Sequence, residues 1–225
     1  MTVACVYVSG PYPYTPEYVI RLARMVRRWL ARPFRFVCFT DQPGLFEAPI
    51  ETIRIPATLP AAPKAIGYWN KLQLFNPVHG LSGRVLFLDL DVLVVSDLAP
   101  IVDYPAPFAL AADEIALEKP TPAINSVGLT ILRQFNASAM AFDGGTLADL
   151  WQDWSPTVTD RLQSDQDWYA ERRPEASAMP ASWFPRISRV QPPWPADAKV
   201  VLVKTPKNHL AVQKWPWFDA QWGAA

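Results

Sequence analysis

The chain has 225 residues, enough for one well-filled core and marginal for two domains. Half of the residues are apolar, which excludes a disordered chain, and 21 basic residues balance 21 acidic ones, which gives no case for nucleic acid as a partner. The two cysteines, Cys5 and Cys38, lie in apolar runs and read as buried free thiols, while two histidines, His79 and His209, are too few for a His-rich metal site.

The first element is a buried strand over residues 3–9. Its N-terminal residues carry neither a basic start nor a long apolar stretch, so no signal peptide is expected. Thr15-Pro16 then looks like a helix cap with proline at the first helical position. Val19, Leu22, Val26 and Trp29 follow at helical spacing, with Arg21, Arg24 and Arg28 largely off that stripe. A second strand over residues 34–40 completes a strand-helix-strand unit and predicts parallel pairing. A helix is expected over residues 64–75, with Ile66, Trp69, Leu72 and Phe75 along one side. A long strand is predicted over residues 84–95, then strands over 108–112 and 137–142. A helix is marked by Leu147, Leu150, Trp151 and Trp154, and a short one, capped by Ser164, by residues 165–171. From about residue 172 the chain is rich in Pro and Trp and weakly periodic. We expect one domain over residues 1–225, whose C-terminal part folds back on the sheet. The longest apolar run, Val85 to Val95, is too short to span a bilayer and is broken by two aspartates. A cytoplasmic protein is expected. Trp215, Trp217, Phe218 and Trp222 could pack, stack on a sugar or touch a membrane surface.

The chemistry concentrates in Arg84 to Val95. Near-continuous β-prone residues suit a central strand covered on both faces. Asp89 and Asp91 interrupt it at spacing two, which in a strand puts both carboxylates on one side. Paired carboxylates near a buried strand repel and lose hydration, so they need a cation or strong hydrogen bonds. A divalent ion with oxygen ligands meets that need, and ligands of open α/β sheets bind beyond the strands' carboxyl ends. The bland alternative is a pair of turn residues at a strand end.

Three stretches around this motif give it a context. They are Gly67-Tyr68-Trp69-Asn70-Lys71-Leu72-Gln73-Leu74-Phe75, Gly83 to Asp91, and Ser96-Asp97-Leu98. With Phe135-Asn136-Ala137-Ser138-Ala139-Met140-Ala141-Phe142-Asp143 and Ser164-Asp165-Gln166-Asp167 after them, the order resembles the family 8 glycosyltransferases. That group includes glycogenin and bacterial lipopolysaccharide galactosyltransferases. Tyr14 to Val19 and Phe36 to Asp41 are similar to the opening of bacterial members.

The resemblance covers roughly residues 3–170 and implies a GT-A fold: a Rossmann-like, mostly parallel mixed α/β sheet flanked by helices. It implies a hexosyltransferase acting on a UDP-sugar with Mn²⁺ or Mg²⁺, and retention of anomeric configuration. Asp89 and Asp91 would hold the metal on the donor diphosphate. Lys71 would touch diphosphate or donor sugar, unless it is an ordinary surface lysine. Asp113 matches an acid near the donor sugar, with a plain loop aspartate as the alternative. Asn136 and Gln166 match amides facing the sugar. Asp165 is a candidate nucleophile beside Gln166, although same-face attack is favoured because an amide is a poor nucleophile; Asp165 and Asp167 also suit a helix first turn. Ser9 and Tyr14 sit where the base is held. Lys204 and Lys207 could serve the phosphates. No histidine stands at the family's third metal position, and His209 is displaced. The acceptor, whether glycan, lipid or protein, is not specified, and peripheral membrane contact is compatible. Two rivals are a degenerate nucleotide-sugar binder, suggested by the missing histidine, and a haloacid-dehalogenase-like phosphatase, which also places D-x-D after an apolar strand.

Overall fold

The computed structural model describes residues 1–10, 14–59, 67–112, 122–124, 130–132 and 135–203. In chain order, strand β1 spans Thr2–Tyr7, helix α1 Pro16–Trp29, β2 Arg35–Thr40 and β3 Ile50–Arg54. A 3₁₀ segment covers Gly67–Phe75, followed by β4 at Gly83–Leu88, β5 at Val92–Val94 and α2 at Ala99–Val102. Strands β6 (Phe108–Ala112), β7 (Pro122–Ile124), β8 (Thr130–Leu132) and β9 (Phe135–Gly144) come next. Short helices α3 (Asp149–Gln152) and α4 (Val158–Arg161) precede α5 (Asp165–Arg172), β10 (Ser177–Met179) and β11 (Val200–Leu202).

The central sheet has seven strands in the order β10-β6-β9-β4-β1-β2-β3. β4, β1, β2 and β3 run parallel, and β9 is antiparallel to both β4 and β6. The strand-helix-strand start is thus a parallel β1-α1-β2 unit. The apolar stripe of α1 buries Val19, Leu22 and Val26, each of which contributes roughly 1.5–3 kcal/mol. It lies on one face of the sheet with Val3, Cys5, Cys38 and Leu86, while Ala4, Val37, Val85 and Phe87 face the other. Cys5 and Cys38 are register partners on adjacent strands, both free and buried. Burial first, then Cys38, pushes the Cys5 thiol well up, which suits inert packing. Among the described residues no helix is long and apolar enough to cross a membrane.

Two expected elements take a different form. The helix predicted over 64–75 is, where described, a 3₁₀ segment, Gly67–Phe75. The stripe itself explains why: Trp69, Leu72 and Phe75 recur at intervals of three, which is the 3₁₀ repeat and not the 3.6 of an α-helix. Such long 3₁₀ runs are uncommon, and here every residue from Trp69 to Phe75 is buried, so packing fixes the form. Its polar groups are used: Asn70 Nδ2 donates to Ala57 O at 2.9 Å, and Gln73 Oε1 lies 3.0 Å from His79 Nε2.

The second correction concerns the strand over 84–95. β4 ends at Leu88, the backbone turns through Leu90 and Asp91, and β5 pairs antiparallel with β11, outside the seven-stranded sheet. The alternation argument for Asp89 and Asp91 therefore does not apply, since Asp89 precedes the turn and Asp91 is part of it.

Arg84 fastens the loop after α2. Its guanidinium donates to the carbonyls of Val102, Tyr104 and Ala106 at 2.7–2.8 Å and to Asp143 at 3.1 Å. Nearby, Gly144 pairs with Gly83, and a Cβ there would lie 2.8 Å from the backbone of Leu81 and Ser82. Gly144→Ala is expected to destabilise the fold by roughly 1–3 kcal/mol, because backbone must shift to admit the methyl. An unchanged urea midpoint would show that no such close approach exists.

Candidate active site

The site forms where β1 and β4 end, the carboxyl edge of the parallel half of the sheet. Asp89 follows β4 directly, and its backbone N–H donates to Ser138 O at 2.8 Å. This bond ties the turn to the start of β9, which runs antiparallel beside it. Asn136 and Ala137 are held against Asp89 in this way. The 3₁₀ segment brings Lys71 in from the sheet face that also carries Phe87.

Lys71 is the centre of the cluster. Only 7% exposed, it is no surface lysine. Its ammonium lies 2.8 and 2.9 Å from the two Asp89 carboxylate oxygens, 3.2 Å from Ala137 O and 3.6 Å from Asp165 Oδ2. It also stands 5.4 Å from the centre of the Phe87 ring. Burial alone would pull its titration down, but Asp165, Asp89 and Asp91 outweigh that and hold it well above the ordinary lysine value. The lysine is therefore a fixed positive charge.

Asp91 is buried, and Tyr14 donates to its Oδ2 at 3.0 Å. Burial first, and the charge of Asp89 second, push Asp91 up to about 6, against the opposing help of Tyr14 and Lys71. Asp165, 1% exposed, is likewise pushed up to about 6, by burial first and then by Asp89 and Asp167, with Lys71 opposing. One ammonium thus faces three carboxylates. When all are ionised, the cluster is two positive charges short among the described residues. Asn136 is fully buried; its Oδ1 accepts from Ser138 N at 2.8 Å, while its Nδ2 has no hydrogen-bond partner among the described residues.

Helix α5 is started by a reciprocal cap at Ser164, as its sequence suggests. Asp167 Oδ2 accepts from Ser164 N at 3.0 Å, Ser164 Oγ at 3.1 Å and Gln163 N at 3.2 Å. Asp167 is therefore committed to the cap, whereas Asp165 points to the lysine. Gln166, half-buried, stands next to Asp165 in the same first turn.

Lys71, Asp89, Asp91, Tyr14, Asn136 and Asp165 thus come together from five separate segments. Ser9 stands apart: its backbone N–H donates to Asp41 Oδ1 at 2.9 Å and its hydroxyl to Asp41 Oδ2. Tyr14 is not a free stacking ring, since its hydroxyl serves Asp91 and its ring meets Tyr18 edge-on at 5.1 Å. Asp113, Lys204, Lys207, His209 and the aromatic residues after 214 lie outside the described residues. Among the described residues no cluster of three or more His, Cys, Asp or Glu could hold a metal ion. Asp89 and Asp91 remain as a two-carboxylate donor set. Their hard oxygens and the local shortage of positive charge fit a divalent cation. Sequence reasoning missed Phe87, under the Lys71 ammonium, and Asp41, the partner of Ser9, and neither carries a signal in the sequence.

The mixed sheet, with an acidic turn after β4 and flanking helices, is a GT-A glycosyltransferase fold. The structure is similar to that of galactosyltransferase LgtC in complex with donor and acceptor sugar analogues, with a TM-score of 0.71 and 16% identity over 100% of this chain and 96% of that one. It is also similar to an active-site mutant of LgtC, with a TM-score of 0.65 and 15% identity over 92% of this chain and 88% of that one. No family model and no curated protein sequence matches the chain.

Proposed function

We propose that this chain is a retaining hexosyltransferase that moves a sugar from a UDP-sugar to a glycan, lipid or protein acceptor, with a divalent metal at Asp89 and Asp91. The observation that carries the reading is the charge shortage around Lys71, placed at the carboxyl edge of a sheet whose fold matches a sugar transferase. A donor diphosphate arriving with Mn²⁺ or Mg²⁺ would bring the missing positive charge to Asp91, and the ion would act there as a Lewis acid on the leaving group. The fold removes the ground for the phosphatase alternative, which rested on the D-x-D turn alone.

The chain's own residues take definable parts. Asp89, clamped by Lys71, is oriented before any ligand arrives, so no reorganisation is needed on binding. Tyr14 fixes the rotamer of Asp91. Lys71 remains charged throughout and supports the negative charge that develops on the departing diphosphate. The unpaired Nδ2 of Asn136 is a neutral donor available to a sugar hydroxyl. Gln166 and Asp165 face the sugar, with same-face attack favoured and Asp165 as the alternative nucleophile.

Binding of UDP with Mn²⁺ should raise the unfolding free energy by roughly 2.7 kcal/mol at a hundredfold excess over its dissociation constant. Thermal or urea unfolding with a panel of sugar nucleotides measures this directly. No shift with millimolar UDP, GDP or ADP, with or without Mn²⁺, would sink the reading. A shift without turnover of any UDP-sugar would support the degenerate binder instead.

A further inference from the structure

Tyr169 lies on α5 one turn after Asp165, so both side chains leave the same helical face. Its ring is fully buried and meets Phe75 and Phe108 edge-on at 5.7 and 6.0 Å. A phenylalanine would fill that space equally well. Instead a hydroxyl is carried into the interior with no hydrogen-bond partner among the described residues, a net penalty for any fold. Asp165 Oδ2 is also buried and, among the described residues, without a hydrogen bond: at 3.6 Å from Lys71 Nζ it makes an ion pair too long for a good one. A donor and an acceptor, each unsatisfied, thus share one face of one helix beneath the Lys71–Asp89 pair. Each Asp89 oxygen already has Lys71 as a partner, whereas Asp165 Oδ2 lacks a hydrogen bond among the described residues. Burial first, then the charges of Asp165 and Asp89, hold the phenol well above its ordinary range, so it is an O–H that can only serve these carboxylates as a donor.

We propose that Tyr169 is a positioning residue, whose hydroxyl donates to Asp165 Oδ2 and fixes that carboxylate beside Lys71. The inference rests on the glycosyltransferase reading for its consequence, but the contact itself can be tested without it. The experiment is a double-mutant cycle of Tyr169→Phe, Asp165→Ala and the two together. It is read by urea unfolding of the free protein and by UDP-sugar turnover per folded molecule. With Asp165 present, Tyr169→Phe should lower kcat about tenfold, the equivalent of one ordinary hydrogen bond, and leave the donor KM within about twofold. With Asp165→Ala in place, which leaves no side-chain acceptor, the same change should alter neither constant by a comparable factor, and the unfolding free energies should be non-additive. Additive unfolding free energies would overturn the contact, and an unchanged kcat would overturn the positioning role. If the wild type turns over no sugar nucleotide, it is the glycosyltransferase reading that fails, and the unfolding cycle still decides whether Tyr169 serves Asp165.

Discussion

Lys71→Met is expected to lower sugar-nucleotide turnover by roughly a thousandfold or more and to destabilise the free protein by about 3–5 kcal/mol. The methionine keeps the apolar stem, so packing against Phe87 is largely retained. What disappears is, among the described residues, the one positive charge facing Asp89, Asp91 and Asp165. Breaking a buried ion pair leaves carboxylates without a counter-charge, which is worse than never having had the pair. The defect should grow with pH. Without the ammonium, the carboxyls titrate still higher in the folded state than their present value of about 6 at Asp91 and Asp165. A group whose folded value is raised gives its stabilisation below its unfolded value and loses it as pH rises through the folded one. Urea unfolding of wild type and variant at pH 5 and pH 7.5 checks this. A stability loss equal at both pH values would show that Lys71 acts through packing and not through charge.

Asp91→Asn should have the opposite effect on the free protein and a severe one on ligand binding. Asp91 titrates at about 6 in the fold against an ordinary aspartate value of 3.8, so metal-free protein should lose stability between about pH 4 and 6. By shift arithmetic that loss is at most roughly 3 kcal/mol, and the asparagine, which still accepts from Tyr14, should remove it. The same substitution takes away half of the two-carboxylate donor set. Two monodentate carboxylates leave about four positions of an octahedron for water and diphosphate oxygens, so Mn²⁺ should bind weakly alone and much more tightly with UDP. Linkage requires UDP to tighten by the same factor in the presence of Mn²⁺. Calorimetric titration of Mn²⁺ into wild type and Asp91→Asn, each with and without UDP, measures the coupling. It should be present in the wild type and absent in the variant. Equal affinity in all four titrations would refute the metal site, whatever the turnover.

The sequence by itself determined what depends on near neighbours along the chain. The apolar period of residues 19–29, the β-prone runs around them and the Thr15-Pro16 start give the parallel β1-α1-β2 unit, because each element buries a face that its own spacing defines. The cap at Ser164 was equally legible, since a capping box closes within three residues. The acidic turn after β4 could be located, but not its form. β4 leaves the ladder after Leu88 although β9 continues beside β6 to Phe135, and Val92–Val94 then pairs with β11, a partner far along the chain near the end of the described residues. The 3₁₀ segment was misjudged because its period of three and the α-helical period of 3.6 differ little over nine residues, and burial on all sides decides between them. Lys71 stood undecided between surface and site, because charge compensation is a property of space: its partners Asp89, Ala137 and Asp165 come from three other segments. Tyr169 reads as an ordinary core aromatic in a sequence. Only tertiary structure shows that its hydroxyl has been brought, unpaired, to the same buried face as an unpaired carboxylate oxygen, where the low dielectric makes each open valence matter.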